Sequence, residues 1–206
     1  MFKIHNIKIN AFAQRNPDNL FAVVMMVSLS IQQKWSLVGD MLSDMIENKA
    51  ESKYIWGNKK STYDYITIHK HFIHGQMMAV LKSKNLTDHG KAISLMKIFL
   101  KIDGLGLAKA GFVCQLVGGL VGCMDVHNIK TYGVEPNSLK LNKNLKTSKG
   151  LENNRRKMEK YITLCHDYGT ENLWNSWCSM IANKYPKDFL DGNHVSELHY
   201  TYLIGE

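Results

Sequence analysis

The run Ile102-Asp103-Gly104-Leu105-Gly106-Leu107-Ala108-Lys109-Ala110-Gly111 decides how the rest of this chain is read. Apolar residues recur at helical spacing on both sides of it, so Asp103-Gly104-Leu105-Gly106 is a turn between two helices. Two glycines around one apolar residue let the backbone turn tightly and approach an anion such as a phosphate, where a Cβ would obstruct it. The first amides of the following helix then point at that anion, aided by the helix dipole. Leu105 would anchor the hairpin, and the small side chain of Ala110 would let the two helices pack closely. Taken alone, glycine-apolar-glycine before a helix is a weak signal, and a structural turn is the favoured reading.

Working outward, the periodicity predicts an all-α fold. Asn16-Pro17-Asp18 is a helix start, with Leu20, Val23, Val24, Val27 and Ile31 on one face. Further helices are predicted at Ser36–Asn48, Tyr65–Lys84 and Thr87–Ile102, with a loop over Glu51–Asp64. Ala110–Met124 holds one polar residue, Gln115, and is predicted to be a single buried helix. Gly118, Gly119 and Gly122 would cost that helix about 1 kcal/mol each relative to alanine. Close approach of a neighbouring helix or of a nucleic-acid backbone would compensate. A short helix ending near Gly133 follows, then a linker to Gly150, and helices at Leu151–Asp167 and Thr170–Lys184 with Pro186 beyond. Val195–Leu203 reads as a last short helix.

The 206 residues carry a net charge of +8 and are 45% hydrophobic, enough for a substantial core. The longest clean apolar run, Leu20–Val27, is 8 residues, against about 20 for a membrane span. With no apolar leader in Met1–Asn10, a cytoplasmic protein without membrane association is expected. Cys114, Cys123, Cys165 and Cys178 are spaced by 9, 42 and 13 residues. Such spacing suits buried free thiols better than a zinc or iron–sulfur site. Between Leu139 and Lys160 stand six lysines and two arginines against Glu152 and Glu159, a stripe able to neutralise phosphates or to serve as a solvated face.

Asp125-Val126-His127 begins 21 residues after Gly104, beyond the apolar segment. With this spacing the chain resembles the helix-hairpin-helix DNA glycosylase superfamily, the group containing endonuclease III and 8-oxoguanine glycosylase. Leu29-Ser30-Ile31-Gln32-Gln33 is similar to a stretch on an early helix of the same group, and the three segments span residues 29–133. The resemblance implies a two-lobed helical unit over 1–206, with the active site between the lobes. Residues 20–133 would form a core containing the helix-hairpin-helix at about 91–121, and 1–19 with 134–206 the second lobe. It implies duplex DNA with a damaged or modified base as partner and a monomer, with a monovalent cation at the hairpin as the one ion to consider; the iron–sulfur cysteine set is missing from this chain, so no cluster is expected.

By that resemblance Asp125 is the catalytic carboxylate, stabilising the positive charge that builds on deoxyribose as the N-glycosidic bond breaks. An isolated aspartate at this position would read as a helix N-cap. Gly104, Leu105, Gly106 and Ala108 would meet DNA, and Gln32 or Gln33 would lie near the space left by a flipped nucleotide. His127 would contact DNA or bond the backbone near the aspartate. The chain departs from the pattern at Ala108, where bifunctional members carry a Schiff-base lysine; Lys109 follows, about 100° around the helix. Lys109 is therefore either an active-site amine or a phosphate contact, and a monofunctional enzyme is expected. Asp103 replaces the hairpin's proline. His69, His71 and His74 read as a polar surface, and Trp174 and Trp177 as core. The expected function is base excision from DNA; the alternatives are a phage-type enzyme of the same fold that modifies a hypermodified thymine without excising it, and a non-catalytic DNA-binding protein.

Overall fold

A computed structural model describes residues 5–31, 33, 37–142 and 147–184, and all regular structure among them is helical. The α-helices are α1 (His5–Arg15), α2 (Pro17–Leu29), α3 (Val38–Asn48), α4 (Asn58–Lys82), α5 (Asp88–Phe99), α6 (Leu107–Gly118), α7 (Val126–Thr131), α8 (Ser148–Tyr168) and α9 (Thr170–Lys184). Short 3-10 turns occupy Lys49–Glu51 and Pro136–Leu139. Gln32, Trp35, Pro186 and the Val195–Leu203 segment lie outside the described residues.

Side-chain caps mark the starts of α2, α5, α7 and α8. Asn16 accepts the Asn19 amide at 2.8 Å ahead of Pro17, Thr87 accepts that of Gly90 at 3.1 Å, and Thr147 that of Gly150 at 3.1 Å. Caps of this kind contribute about 1 kcal/mol each. Leu20, Val23, Val24 and Val27 are fully buried, so α2 runs through the centre of the molecule. It packs most extensively against α4, and also meets α1, α3 and α6. Pairs α1–α6, α4–α5, α5–α6, α5–α8, α7–α9 and α8–α9 complete the fold around one continuous core running from Ile9 to Cys178.

Three boundaries differ from those predicted. α1 carries too little apolar periodicity to be recognised, yet Ile9, Phe12 and Ala13 anchor it against α2 and α6. α4 begins at Asn58, inside the predicted loop, its first turns held down by buried Thr62 and Tyr63. The predicted helix Ala110–Met124 stops at Gly118, because Gly119 adopts φ +69° and turns the chain out of it. Val121, Cys123 and Met124 stay buried in non-helical backbone, so their apolarity reports burial and not helix. Gly118 and Gly122 are explained by close packing within the protein. A Cβ on Gly118 would lie 2.8 Å from Leu81, and one on Gly122 2.5 Å from Leu173.

Candidate active site at the hairpin

α5 and α6 pack on each other and are joined by the turn at Leu100–Gly106. Its two glycines have different surroundings. Gly104 has φ +85°, and a Cβ there would lie 2.5 Å from both the Asn58 carbonyl oxygen and Thr62 Oγ1. The Thr62 hydroxyl donates to the Asp103 carbonyl at 2.7 Å, so the hairpin is fastened to the first turn of α4. A Cβ on Gly106 would meet nothing within 4 Å. Gly106 is the N-cap of α6 with no side chain capping it, leaving the first amides of that helix open. They border a cleft of about 660 Å³ whose walls include Leu105, Leu107, Ala108, Met124, Ile129 and Lys140.

Lys109, in the first turn of α6, does not project to solvent. Its Nζ donates to Ser30 Oγ at 3.0 Å, at the C-terminal end of α2, and lies 5.8 Å from the Phe112 ring centroid. Burial pushes the Lys109 pKa below the usual lysine value, while the nearby Asp125 carboxylate works in the opposite direction. Asp125 is half-buried and N-caps α7 through Oδ1, which accepts the Asn128 amide at 3.0 Å. Its other carboxylate oxygen takes no hydrogen bond from a described residue. Capping and chemistry are therefore compatible readings of the same residue.

Buried polar side chains fix the turn that carries Asp125. Tyr161 of α8 donates its hydroxyl to the Gly122 carbonyl at 2.8 Å and accepts the Met124 amide at 2.8 Å. Gln115 of α6 accepts the Cys123 amide at 2.9 Å and donates to the Thr170 carbonyl at 2.9 Å. Asn128 donates to the carbonyls of Cys123 and Leu173, at 2.7 and 3.0 Å. The non-helical stretch before Asp125 thus has its hydrogen bonds supplied by side chains of α6, α7 and α8, of which Gln115 and Asn128 are themselves tied to the start of α9.

Segments 29–33, 102–111 and 123–127 converge on Lys109, but with different residues from those expected in the first. Ser30 reaches the lysine, whereas Gln33 is exposed. Ala108 lines the cleft, and His127 turns to α9, with Nε2 3.2 Å from Ser176 Oγ. The described residues contain no group of three or more His, Cys, Asp or Glu able to hold a metal, and His69, His71 and His74 do not assemble into one. All four cysteines are free and buried, and burial raises the thiol pKa values, that of Cys165 to about 12. Trp174 and Trp177 pack on Phe112 in the core.

In the basic stripe, Arg155 pairs with Glu152 and Glu159, and Arg156 with Glu152. Both arginines hold the Glu152 carboxyl down at about 2. The two arginines of the stripe are therefore engaged by its two acids within α8. A different basic surface lies beside the hairpin. Trp56 is 64% exposed, with the Nζ of the buried Lys59 5.6 Å from its ring centroid, and the exposed Lys53 places its Nζ 5.1 Å from that of Tyr54. Burial lowers the pKa of Lys59. The alternation of lysine and aromatic residues over 53–60 was the signal for this surface, obscured by its glycine-asparagine turn.

No helix among the described residues is long and apolar enough to cross a membrane. Comparison with protein-family profiles, with curated proteins and with solved structures returns no match.

Proposed function

We propose that this protein is a DNA glycosylase-like enzyme that binds DNA through the hairpin, flips a nucleotide and cleaves its N-glycosidic bond. The observation that carries this reading is the convergence of Ser30, Lys109 and Asp125, from three separate segments, around the first turn of α6. The open amides at Gly106–Ala108 suit a phosphate, and Lys53 and Trp56 extend that surface with groups that offset backbone charge or stack on bases. With the target base extruded, the free oxygen of Asp125 faces the developing oxocarbenium charge and orients the attacking water. Lys109 supplies a second polar group whose ammonium form is weakened by burial.

Duplexes carrying a panel of damaged and modified bases test this directly. Appearance of abasic sites, lost by at least about 100-fold in Asp125→Asn, is the expected result. A change in base mass with the glycosidic bond intact would replace excision by base modification. Binding without any chemical change across the panel would leave a DNA-binding protein in which Asp125 only caps α7. Borohydride trapping decides whether Lys109 bonds covalently to the sugar; the monofunctional reading expects no adduct.

A further inference from the structure

The Leu29–Gln33 stretch contributes a hydroxyl to the site where its glutamines were expected to matter. Ser30 is the C-cap residue of α2: its amide donates to the Met26 carbonyl, and the next amide, of Ile31, to that of Ser28. Its Oγ donates to the Val27 carbonyl at 2.7 Å and receives Lys109 Nζ at 3.0 Å. A serine hydroxyl has one proton to give. With that proton committed to Val27, the side of Ser30 facing Lys109 can only accept. We propose that Ser30 is a positioning residue, an acceptor fixed by the end of α2 that directs the Lys109 amine and favours its protonated form.

An acceptor supports an ammonium more strongly than a neutral amine, because charge-assisted hydrogen bonds are about twice as strong. The C-terminal end of α2 adds partial negative charge of the same sense. These act against burial. The titratable groups facing Lys109 are Cys123 and Asp125, both from the segment between α6 and α7. Cys123 is held as a neutral thiol by burial, leaving Asp125 as the charged neighbour. Helices α1 and α5 also pack on α6 and bring no titratable group into this set among the described residues. Lys109 is thus poised between opposing influences, and Ser30 is the one that touches it. This assignment rests on the proposed function only in treating Lys109 as part of a reactive site.

The test is a titration of Lys109 that requires no substrate: competitive acetylation of the folded protein with acetic anhydride across pH, read peptide by peptide by mass spectrometry. In Ser30→Ala the Lys109 midpoint is expected to fall by about half to one pH unit, with Lys59 unmoved as internal reference. Ser30→Thr, which keeps the hydroxyl, is expected to titrate as wild type. Should the alanine variant fail to fold, Ser30→Cys, with a poor acceptor of similar size, carries the same expectation. A folded Ser30→Ala or Ser30→Cys variant with an unchanged Lys109 midpoint overturns the proposal, even if its melting temperature falls. Asp125→Asn provides a separate arm. If it leaves the midpoint unchanged while Ser30→Ala lowers it, the paired Lys109–Asp125 site fails and the positioning role of Ser30 stands.

Discussion

Gly104 and Gly106 stand two residues apart in one turn, and the protein uses them in opposite ways. Gly104 is required by the molecule itself. Its φ of +85° and its approach to the Asn58 carbonyl leave no room for a side chain. Gly106 has open space where a Cβ would be and a φ of −92° that any residue adopts. The fold demands the first glycine and tolerates replacement of the second. A glycine without an internal reason is where an external ligand is best sought, and Gly106 borders the cleft at the uncapped start of α6.

The largest effect should come from Gly104→Ala. Backbone strain and overpacking against Asn58 and Thr62 are expected to cost about 3 kcal/mol, lowering Tm by roughly 6–12 °C in calorimetry. Retention of wild-type Tm would break the contrast. Next, Thr62→Val removes the hydroxyl that fastens Asp103, with a loss of about 1–2 kcal/mol by urea denaturation. Gly106→Ala should reverse the pattern: Tm within roughly 2 °C of wild type, but duplex affinity lower by about 5-fold in anisotropy titrations, the worth of one amide contact.

Three residues on, Lys109→Met sharpens the same division through pH. Burial lowers the Lys109 pKa in the folded chain from its ordinary 10.5. Between the folded value and 10.5 the unfolded chain binds more protons, so this lysine makes wild-type stability rise with pH. Relative to the methionine variant, wild type should therefore gain Tm as pH rises towards 10.5. A gap independent of pH would show that the amine is not desolvated. The smallest effect belongs to Arg155→Gln, since Arg155 is already engaged by Glu152 and Glu159. DNA affinity should change by less than about 2-fold across a salt series.

Helices with strong periodicity or a cap, such as α2, α5, α8 and α9, were legible from the chain. The errors have physical sources. The 120–124 segment is apolar because α6, α8 and α9 enclose it, and composition cannot separate buried turn from buried helix where a glycine at φ +69° intervenes. α1 was hidden because tertiary packing, not amphipathic pattern, holds it. At the site, the spacing of Gly104, Lys109 and Asp125 could be read, and the structure places Lys109 close enough to Asp125 for their charges to interact. Ser30 could not be singled out from Leu29–Gln33. Its role depends on which side of α2's last turn meets α6, a property of packing between residues 79 apart.

The Tyr161 hydroxyl has a consequence for portability. It grips the backbone on both sides of Cys123 from a helix whose sequence position is 37 residues away from Met124. Transplanting residues 102–131 onto another helical scaffold would carry the glycines, the lysine and the aspartate, but not the mould that shapes the aspartate's turn. A working graft has to include Tyr161, together with Gly111, whose missing side chain gives the ring its place. The smallest transferable unit of this site is therefore a hairpin with its supporting helix, not a motif.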